Sequence, residues 1–179
     1  MNILLKNKTS NSIISGILIG LSYPPFPLGF FAWFGFIPLF ISIKNCSDIK
    51  ESFKCGYLAG ITSHFVALYW IGFNSGAGFV PVFLSLIGAV FYLALFWGIF
   101  SLILHMLINF KKIFFWIAPF VWISMEWVRS FGSLGFPWMD LSLTQSRYTT
   151  MIQLLDVTGG AGIALWILFL NLFIYYFIY

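Results

Sequence analysis

The chain has 179 residues, of which 61% are hydrophobic and only 8% are charged, with a formal net charge of +4. A soluble domain is about half apolar and about a quarter charged, so these residues cannot cover a water-facing surface and lipid must be the solvent. The small positive charge gives no reason to expect nucleic acid as a partner.

Apolar runs of near-spanning length divide the chain. A helix rises about 1.5 Å per residue, so crossing a hydrocarbon core of about 30 Å takes about 20 residues. The sequence therefore predicts an all-α fold: a polytopic transmembrane helical bundle that forms a single transmembrane domain over residues 1–179. The six predicted spans are 10–23, 28–43, 54–73, 79–108, 112–130 and 160–179.

The first two runs are short and are separated by the stretch SYPPFP at 22–27. Proline cannot continue a helix, which suits both a single broken crossing and a tight helical hairpin. Lysines lie on both sides of this pair, at Lys6 and Lys8 before it and at Lys44, Lys50 and Lys54 after it. Positive loops stay cytoplasmic, and only an even number of crossings keeps both clusters inside. A short Pro-broken N-terminal hairpin is therefore predicted.

The same rule orients the remaining spans. The uncharged loop 74–78 is predicted to lie outside, Lys111 and Lys112 inside, and the segment 131–159 outside. Seven of the nine basic residues, all of them lysines, then fall on one side. The sequence thus predicts a multi-pass protein of the bacterial cytoplasmic (inner) membrane with both termini in the cytoplasm.

The segment 131–159 is too polar to span and too apolar to be a free loop. It begins with a GFPW turn, in which Gly135 permits the bend, Pro137 stiffens it and Trp138 favours the membrane interface. We expect an amphipathic segment along the outer membrane surface, partly helical from about 149 to 157. The small residues TGGAG at 158–162 then open the last helix and allow close packing.

Two charged residues close the fifth predicted span. Glu126 and Arg129 are three residues apart, so they share one helix face and can pair. They are either an interfacial ion pair that anchors the helix or contacts for a headgroup or substrate. Tyr69 and Trp70 end the third span, where an aromatic belt needs no further function.

No metal or cofactor is expected from the sequence. His64 and His105 have no nearby Cys, Asp or Glu, and Cys46 and Cys55 are farther apart than a zinc pair, so they are interpreted as unpaired thiols in a reducing compartment. There is no nucleophile elbow and no phosphate loop. The residues by themselves give a membrane protein with a polar outer rim and no catalytic centre.

Five stretches together resemble the bacterial apolipoprotein N-acyltransferases. The opening LSYPPFPLGFFAWFGFIPLF at 21–40 is similar to the family's Pro-broken first hairpin. ALYWI at 67–71 resembles its third-span ending, and FYLALFWGIFSLIL at 91–104 its fourth span. EWVRSFGSLGFPWMDLSLTQ at 126–145 resembles its most specific signature, with LSLTQ in place of a Gly-Tyr-Ser-Gln ending. LLDVTGGAGIALWILFLNLFI at 154–174 resembles the following span.

The resemblance implies an enzyme that transfers an acyl chain from a phospholipid to the N-terminal cysteine amine of lipoproteins. It also implies a periplasmic nitrilase-like domain whose Glu-Lys-Cys triad forms a thioester. No residue of this chain matches that triad, and the chain stops inside the sixth predicted span. We therefore assign no catalytic residue here, and we expect a truncated membrane portion that is inactive alone.

The resemblance also gives a set of substrate-floor candidates, which would lie beneath the missing domain. They are Glu126, Arg129, Pro137, Trp138, Gln145, Tyr69 and Trp70. A guanidinium binds phosphate well, so the first two are interpreted as organisers of the floor or as headgroup contacts. The expected partners are phospholipid, diacylglyceryl lipoprotein and a separately encoded nitrilase-like domain.

Other functions stay open from the sequence. In the favoured interpretation, the chain is either a fragment of a longer gene product or one half of a split enzyme. The alternatives are a non-enzymatic membrane remnant or a lipid-binding partner subunit. A small transporter with a path through His64, His105 and Glu126 is less favoured, because these residues lie on three helices at different depths.

Overall fold

A computed structural model describes residues 7–74, 76 and 78–179; Lys6, which the orientation argument uses, lies outside these residues. The described residues form helices and turns and include no strand, which confirms the predicted all-α class. The α-helices of this part of the chain are α1 (Lys8–Ser22), α2 (Ile37–Asn45), α3 (Ile49–Leu68), α4 (Phe79–Phe110), α5 (Ala118–Arg129), α6 (Thr149–Ile152) and α7 (Leu155–Ile178).

Two of the described helices are long and apolar enough to cross a membrane: α4 with 32 residues and α7 with 24. The helices α1 and α5 have 15 and 12 residues and are too short to cross alone. The helix α3 has 20 residues, but it carries Lys50, Glu51 and Lys54 near its start. Helix length and composition therefore do not establish six crossings, which stay a prediction.

The helices place the lysines at one end of the bundle, which we call the lysine end. There α1 and α3 begin, and Lys8 of α1 forms a 2.7 Å ion pair with Glu51 of α3. Asp48 caps α3 by accepting a hydrogen bond from the Glu51 N–H at 2.8 Å. The helices α2 and α7 end nearby, since Lys44 lies over the ring of Tyr175. Consecutive long segments therefore run in alternate directions.

Small residues let α3 pack closely between α1 and α4. A Cβ atom on Gly60 would lie 2.8 Å from both the Ala94 Cα and the Trp97 Cβ, and one on Gly16 would lie 2.7 Å from the Thr62 Cβ. Side chains at these positions would push the helices apart. Small residues at such contacts are typical of helices packed in lipid.

The second leg of the N-terminal hairpin is not a continuous helix. A 3₁₀ turn at Gly29–Trp33 precedes α2, so several backbone groups of this stretch have no helical partner. Buried side chains supply partners. Asn171 of α7 donates to the Ala32 carbonyl at 2.8 Å and accepts from the Phe36 N–H at 2.9 Å. Gln145 donates to the Gly29 carbonyl at 3.0 Å.

An aromatic cluster forms the centre of the core. Phe36 stacks on Trp97 with ring centroids 5.2 Å apart, and Trp122 lies edge-on to Phe36, Trp97 and Phe100 at 4.9–5.0 Å. These rings come from α4, α5 and the turn before α2. Edge-to-face packing of buried rings adds stability beyond burial of area alone, so the cluster fixes α5 against the rest of the bundle.

The segment 131–159 folds as short turns instead of one long helix. It contains 3₁₀ turns at Pro137–Met139 and Leu141–Gln145, followed by α6. Gly159 has φ 63° and ψ −175°, a conformation open mainly to glycine, and it interrupts the helical geometry of α7. The expected helix over 149–157 is thus limited to α6 and the first residues of α7.

Replacing Asn171 tests whether its amide stabilises the broken leg. Asn171→Leu keeps the side-chain size but leaves the Ala32 carbonyl and the Phe36 N–H without their partner, which costs about 1–3 kcal/mol for each buried group. We expect a clear fall in the thermal unfolding temperature of the detergent-solubilised chain. Phe173→Leu, on the exposed face of the same helix, is the control. Equal unfolding temperatures for the two variants would contradict this role.

Candidate functional site

The site is built at the end of α5, opposite the lysine end, where residues 130–146 fold back over the bundle. We call this segment the GFPW corner. Arg129, the last residue of α5, is 3% exposed, and its Nη2 donates to the Asp140 Oδ1 at 2.9 Å. Its carbonyl accepts from the Phe136 N–H at 3.0 Å. Arg129 therefore binds the GFPW turn at two points, through Phe136 within the turn and through Asp140 just after it.

Glu126 holds the next part of the corner. One of its carboxylate oxygens, Oε1, accepts from the Leu141 N–H at 2.7 Å and from the Trp122 Nε1 at 2.8 Å. Glu126 and Arg129 do not form the direct ion pair expected from their spacing, because the corner brings Asp140 and a backbone N–H over the helix end. Glu126 and Arg129 therefore lie in the same polar network, but each has its own hydrogen-bond partners.

The environment of this network is partly dehydrated. Burial raises the pKa of Asp140, and the charge and hydrogen bond of Arg129 oppose that rise. The Arg129 Nε is buried without a hydrogen-bond partner. It borders a cavity of about 10 Å³ between α4 and α5 that is also lined by Trp97 and Glu126, which is room for about one water molecule.

Two further contacts join the proline break of the N-terminal hairpin to the GFPW corner and to Arg147, which directly follows the corner. The Tyr23 hydroxyl donates to the Met139 carbonyl at 3.0 Å, and the Arg147 Nη2 donates to the Pro25 carbonyl at 2.8 Å. Tyr23 is buried, whereas Arg147 is exposed. These contacts join residues 116 and 122 positions apart, so the proline break and the corner form one surface.

This surface contains an apolar groove of about 560 Å³. Trp70, in the 3₁₀ turn that follows α3, and Trp138 of the corner line it, together with Pro24, Leu68 and Leu143. Trp70 is 51% exposed and Trp138 is 68% exposed. Pockets of about 300–1,000 Å³ with mainly apolar walls are typical of small-molecule sites. The groove has the chemistry to hold a hydrocarbon chain.

The other predicted floor residues lie beside the groove or beneath it. Tyr69 contacts Phe26 and Phe73, with ring centroids 5.8 and 6.2 Å apart. Pro137 begins its 3₁₀ turn and is exposed. Gln145 is fully buried and accepts from the Trp33 Nε1 at 2.9 Å. Their contribution to substrate binding stays a prediction.

Sequence reasoning missed the partners of these residues. From the sequence, neither Asp140 nor Tyr23 was assigned a partner or a role. The chain has just five acidic residues, and a buried charge needs a partner. That scarcity is the signal that points to Asp140, because few carboxylates are available to Arg129. No group of three or more His, Cys, Asp or Glu side chains suited to a metal occurs among the described residues.

Comparisons with known proteins give one family. Residues 15–173 match the apolipoprotein N-acyltransferase N-terminal domain. The apolipoprotein N-acyltransferase of Geobacter metallireducens is 30% identical over 176 residues, which cover 92% of this chain and 32% of that protein. The protein of the same name from Chlorobaculum tepidum is 25% identical over 172 residues, with 90% and 30% covered.

A third relative, the apolipoprotein N-acyltransferase of Thermotoga maritima, is 27% identical over 181 residues, covering 93% of this chain and 35% of that protein. No solved structure matches the chain. The chain spans about a third of the length of the curated relatives that it matches. Because the family domain covers most of the chain, from residue 15 to residue 173, the chain belongs to the apolipoprotein N-acyltransferase family.

Proposed function

We propose that this chain is the membrane portion of an apolipoprotein N-acyltransferase. In this proposal it crosses a bacterial inner membrane six times, and it supplies the floor on which an acyl chain passes from a phospholipid to the N-terminal cysteine amine of a lipoprotein. Family membership supports the reaction class. The reacting groups belong to a nitrilase-like domain outside these 179 residues, so this chain by itself is expected to be inactive.

The apolar groove is the observation that carries the proposal. It lies between the proline break, the end of α3 and the GFPW corner, and Trp70 and Trp138 stand partly exposed at its walls. An acyl chain needs apolar walls, and its ester end needs a position near the membrane surface. Tryptophan favours that interface. The groove thus suits a phospholipid acyl chain presented to a domain above it.

In this proposal the charge network supports the groove by fixing the corner whose Trp138, Met139 and Leu143 line it. Arg129 and Asp140 close the GFPW turn, and Glu126 fixes the Leu141 N–H. Arg129 is 3% exposed, so in this proposal it positions the floor and does not contact the headgroup. Removing Arg129 would leave the half-exposed carboxylate of Asp140 partly desolvated and without its cationic partner.

The orientation follows from the positions of the basic residues. Lys8, Lys44 and Lys50 lie at the lysine end, whereas Arg129 and Arg147 lie at the GFPW end. Positive loops remain in the cytoplasm, so both termini are proposed to be cytoplasmic and the groove to open towards the periplasm. The alternate direction of consecutive long segments is compatible with six crossings.

A chimeric enzyme tests the groove. This chain would replace the aligned region of the Geobacter metallireducens relative, and N-acylation of a diacylglyceryl lipopeptide would be measured in proteoliposomes. We expect activity from the chimera and none from the chain alone. Trp138→Ala in the chimera should lower kcat/KM for the phospholipid about five-fold, from loss of about 1 kcal/mol of apolar contact.

Trp127→Ala is the matched control, because Trp127 is 64% exposed on α5 and does not line the groove. An equal loss of kcat/KM in both variants would contradict binding of the acyl chain by the groove. An inactive but folded chimera would favour a non-enzymatic membrane protein. Acyl transfer by the chain alone would contradict the proposal that the reacting groups belong to another domain.

Removing the Arg129 side chain tests the support network. Arg129→Ala in the chimera should reduce acyl transfer per molecule more than it reduces the amount of folded protein, because the GFPW turn loses its buried partner. Arg147→Ala, which removes one exposed contact to the Pro25 carbonyl, is expected to have a smaller effect. Unchanged activity per molecule of Arg129→Ala would show that the network only stabilises the fold.

Reporter fusions test the orientation. A reporter placed after Lys112 should read cytoplasmic, and one placed after Arg147 should read periplasmic, because the lysines are retained on the inner face. The measurement is alkaline phosphatase activity against green fluorescence in intact cells. A periplasmic result after Lys112 would overturn the proposed topology.

A further inference from the structure

A second pocket lies at the lysine end, away from the groove. It has a volume of about 660 Å³ and lies where α4 and α7 end, beside the last turn of α2. Lys44 and Lys111 line it together with Asn109, Tyr175 and Tyr179. Its size is in the range of pockets that hold small-molecule ligands.

Among the residues that the structure describes, no acidic side chain is placed to neutralise the positive charge of this pocket. No Asp or Glu is among the lining residues, and neither Lys44 nor Lys111 forms an ion pair in the part of the chain that the structure describes. Lys8 differs, because it pairs with Glu51 at 2.7 Å and helps lower the pKa of that carboxyl to about 2. The unneutralised lysines favour an anionic ligand.

Lys44 is held in place by aromatic rings. Its Nζ lies 5.2 Å from the ring centroid of Tyr179 and 5.9 Å from that of Tyr175. Cations over aromatic faces at such distances are attracted by the ring quadrupole. Lys44 also lies in the last turn of α2, where the helix dipole favours a cation. A positioned ammonium group loses little entropy when it binds an anion.

The pocket is amphipathic. Ile108 and Phe115 supply apolar wall next to the two lysines. A free inorganic anion would use only the charged part of this surface. A ligand with an anionic head and hydrocarbon chains would use both parts, and the proposed position of the lysine end at a membrane surface provides such molecules.

We propose that this pocket binds a membrane phospholipid with a net negative headgroup, whose phosphate is contacted by the ammonium groups of Lys44 and Lys111. A zwitterionic headgroup is disfavoured because its own cation would face the lysines. This site lies at the opposite end of the bundle from the acyl groove. It is separate from the proposed acyl transfer and depends only on the membrane setting.

Lipid titration of the purified full chain tests this site. Phosphatidylglycerol or phosphatidylcholine would be added in detergent, and bound lipid would be counted by native mass spectrometry. We expect preferential binding of phosphatidylglycerol. Lys44→Gln and Lys111→Gln should each weaken it about five-fold, and the double variant about 25-fold, since each lysine near an anionic lipid contributes a similar attraction.

Three controls separate the possible causes of weaker phosphatidylglycerol binding. Lys54→Gln removes an exposed lysine that lies outside this pocket, and it should leave binding unchanged. Lys44→Arg keeps the charge and should retain binding, which separates loss of charge from misfolding. Glycerol 3-phosphate should compete poorly, because it lacks acyl chains.

Several results would overturn the proposal. Equal binding of the two lipids would remove the headgroup preference, and an equal effect of Lys54→Gln would show diffuse attraction by the whole lysine end. Strong competition by glycerol 3-phosphate would indicate a site for a soluble phosphate ester. Acyl transfer in the chimera is measured separately, so failure of the lipid site leaves the proposed enzymatic function untouched.

Discussion

Backbone N–H and C=O groups that leave a helix inside lipid must find partners within the protein, and this constraint governs the bundle. The second leg of the N-terminal hairpin leaves helical geometry at Gly29–Trp33. Two buried amides, Gln145 and Asn171, bind its free backbone groups. Because these amides come from the GFPW corner and from α7, the corner and the last helix are both fixed by the break in the first hairpin.

The same principle explains the GFPW corner. Its short turns lack the continuous backbone hydrogen bonds of an α-helix. Glu126 and Arg129, at the end of α5, supply hydrogen bonds in their place, to the Leu141 N–H and to Asp140. Tyr23 adds a contact from the proline break. The side chains that stabilise the corner therefore also fix the corner residues Trp138, Met139 and Leu143 that line the groove. In this arrangement charged residues support a mainly apolar surface and do not themselves line it.

The two ends of the bundle differ in chemistry. The GFPW end presents tryptophans and an apolar groove, and the ion pair there joins the buried Arg129 to the half-exposed Asp140. The lysine end presents the ammonium groups of Lys44 and Lys111 in a pocket that tyrosine rings also line. This asymmetry agrees with the proposed orientation, in which the groove meets acyl chains and the lysine end meets anionic headgroups.

The sequence by itself determined the all-helical class, the family, and the ends at which the lysines and the GFPW turn lie. These properties depend on composition and on short motifs, which act locally along the chain. Only the tertiary structure decided that Arg129 pairs with Asp140 instead of Glu126, that Gln145 and Asn171 bind the broken leg, and that Trp70 and Trp138 line one groove. Those contacts join residues up to 139 positions apart, and they depend on how turns bring separate segments together, which local periodicity does not encode.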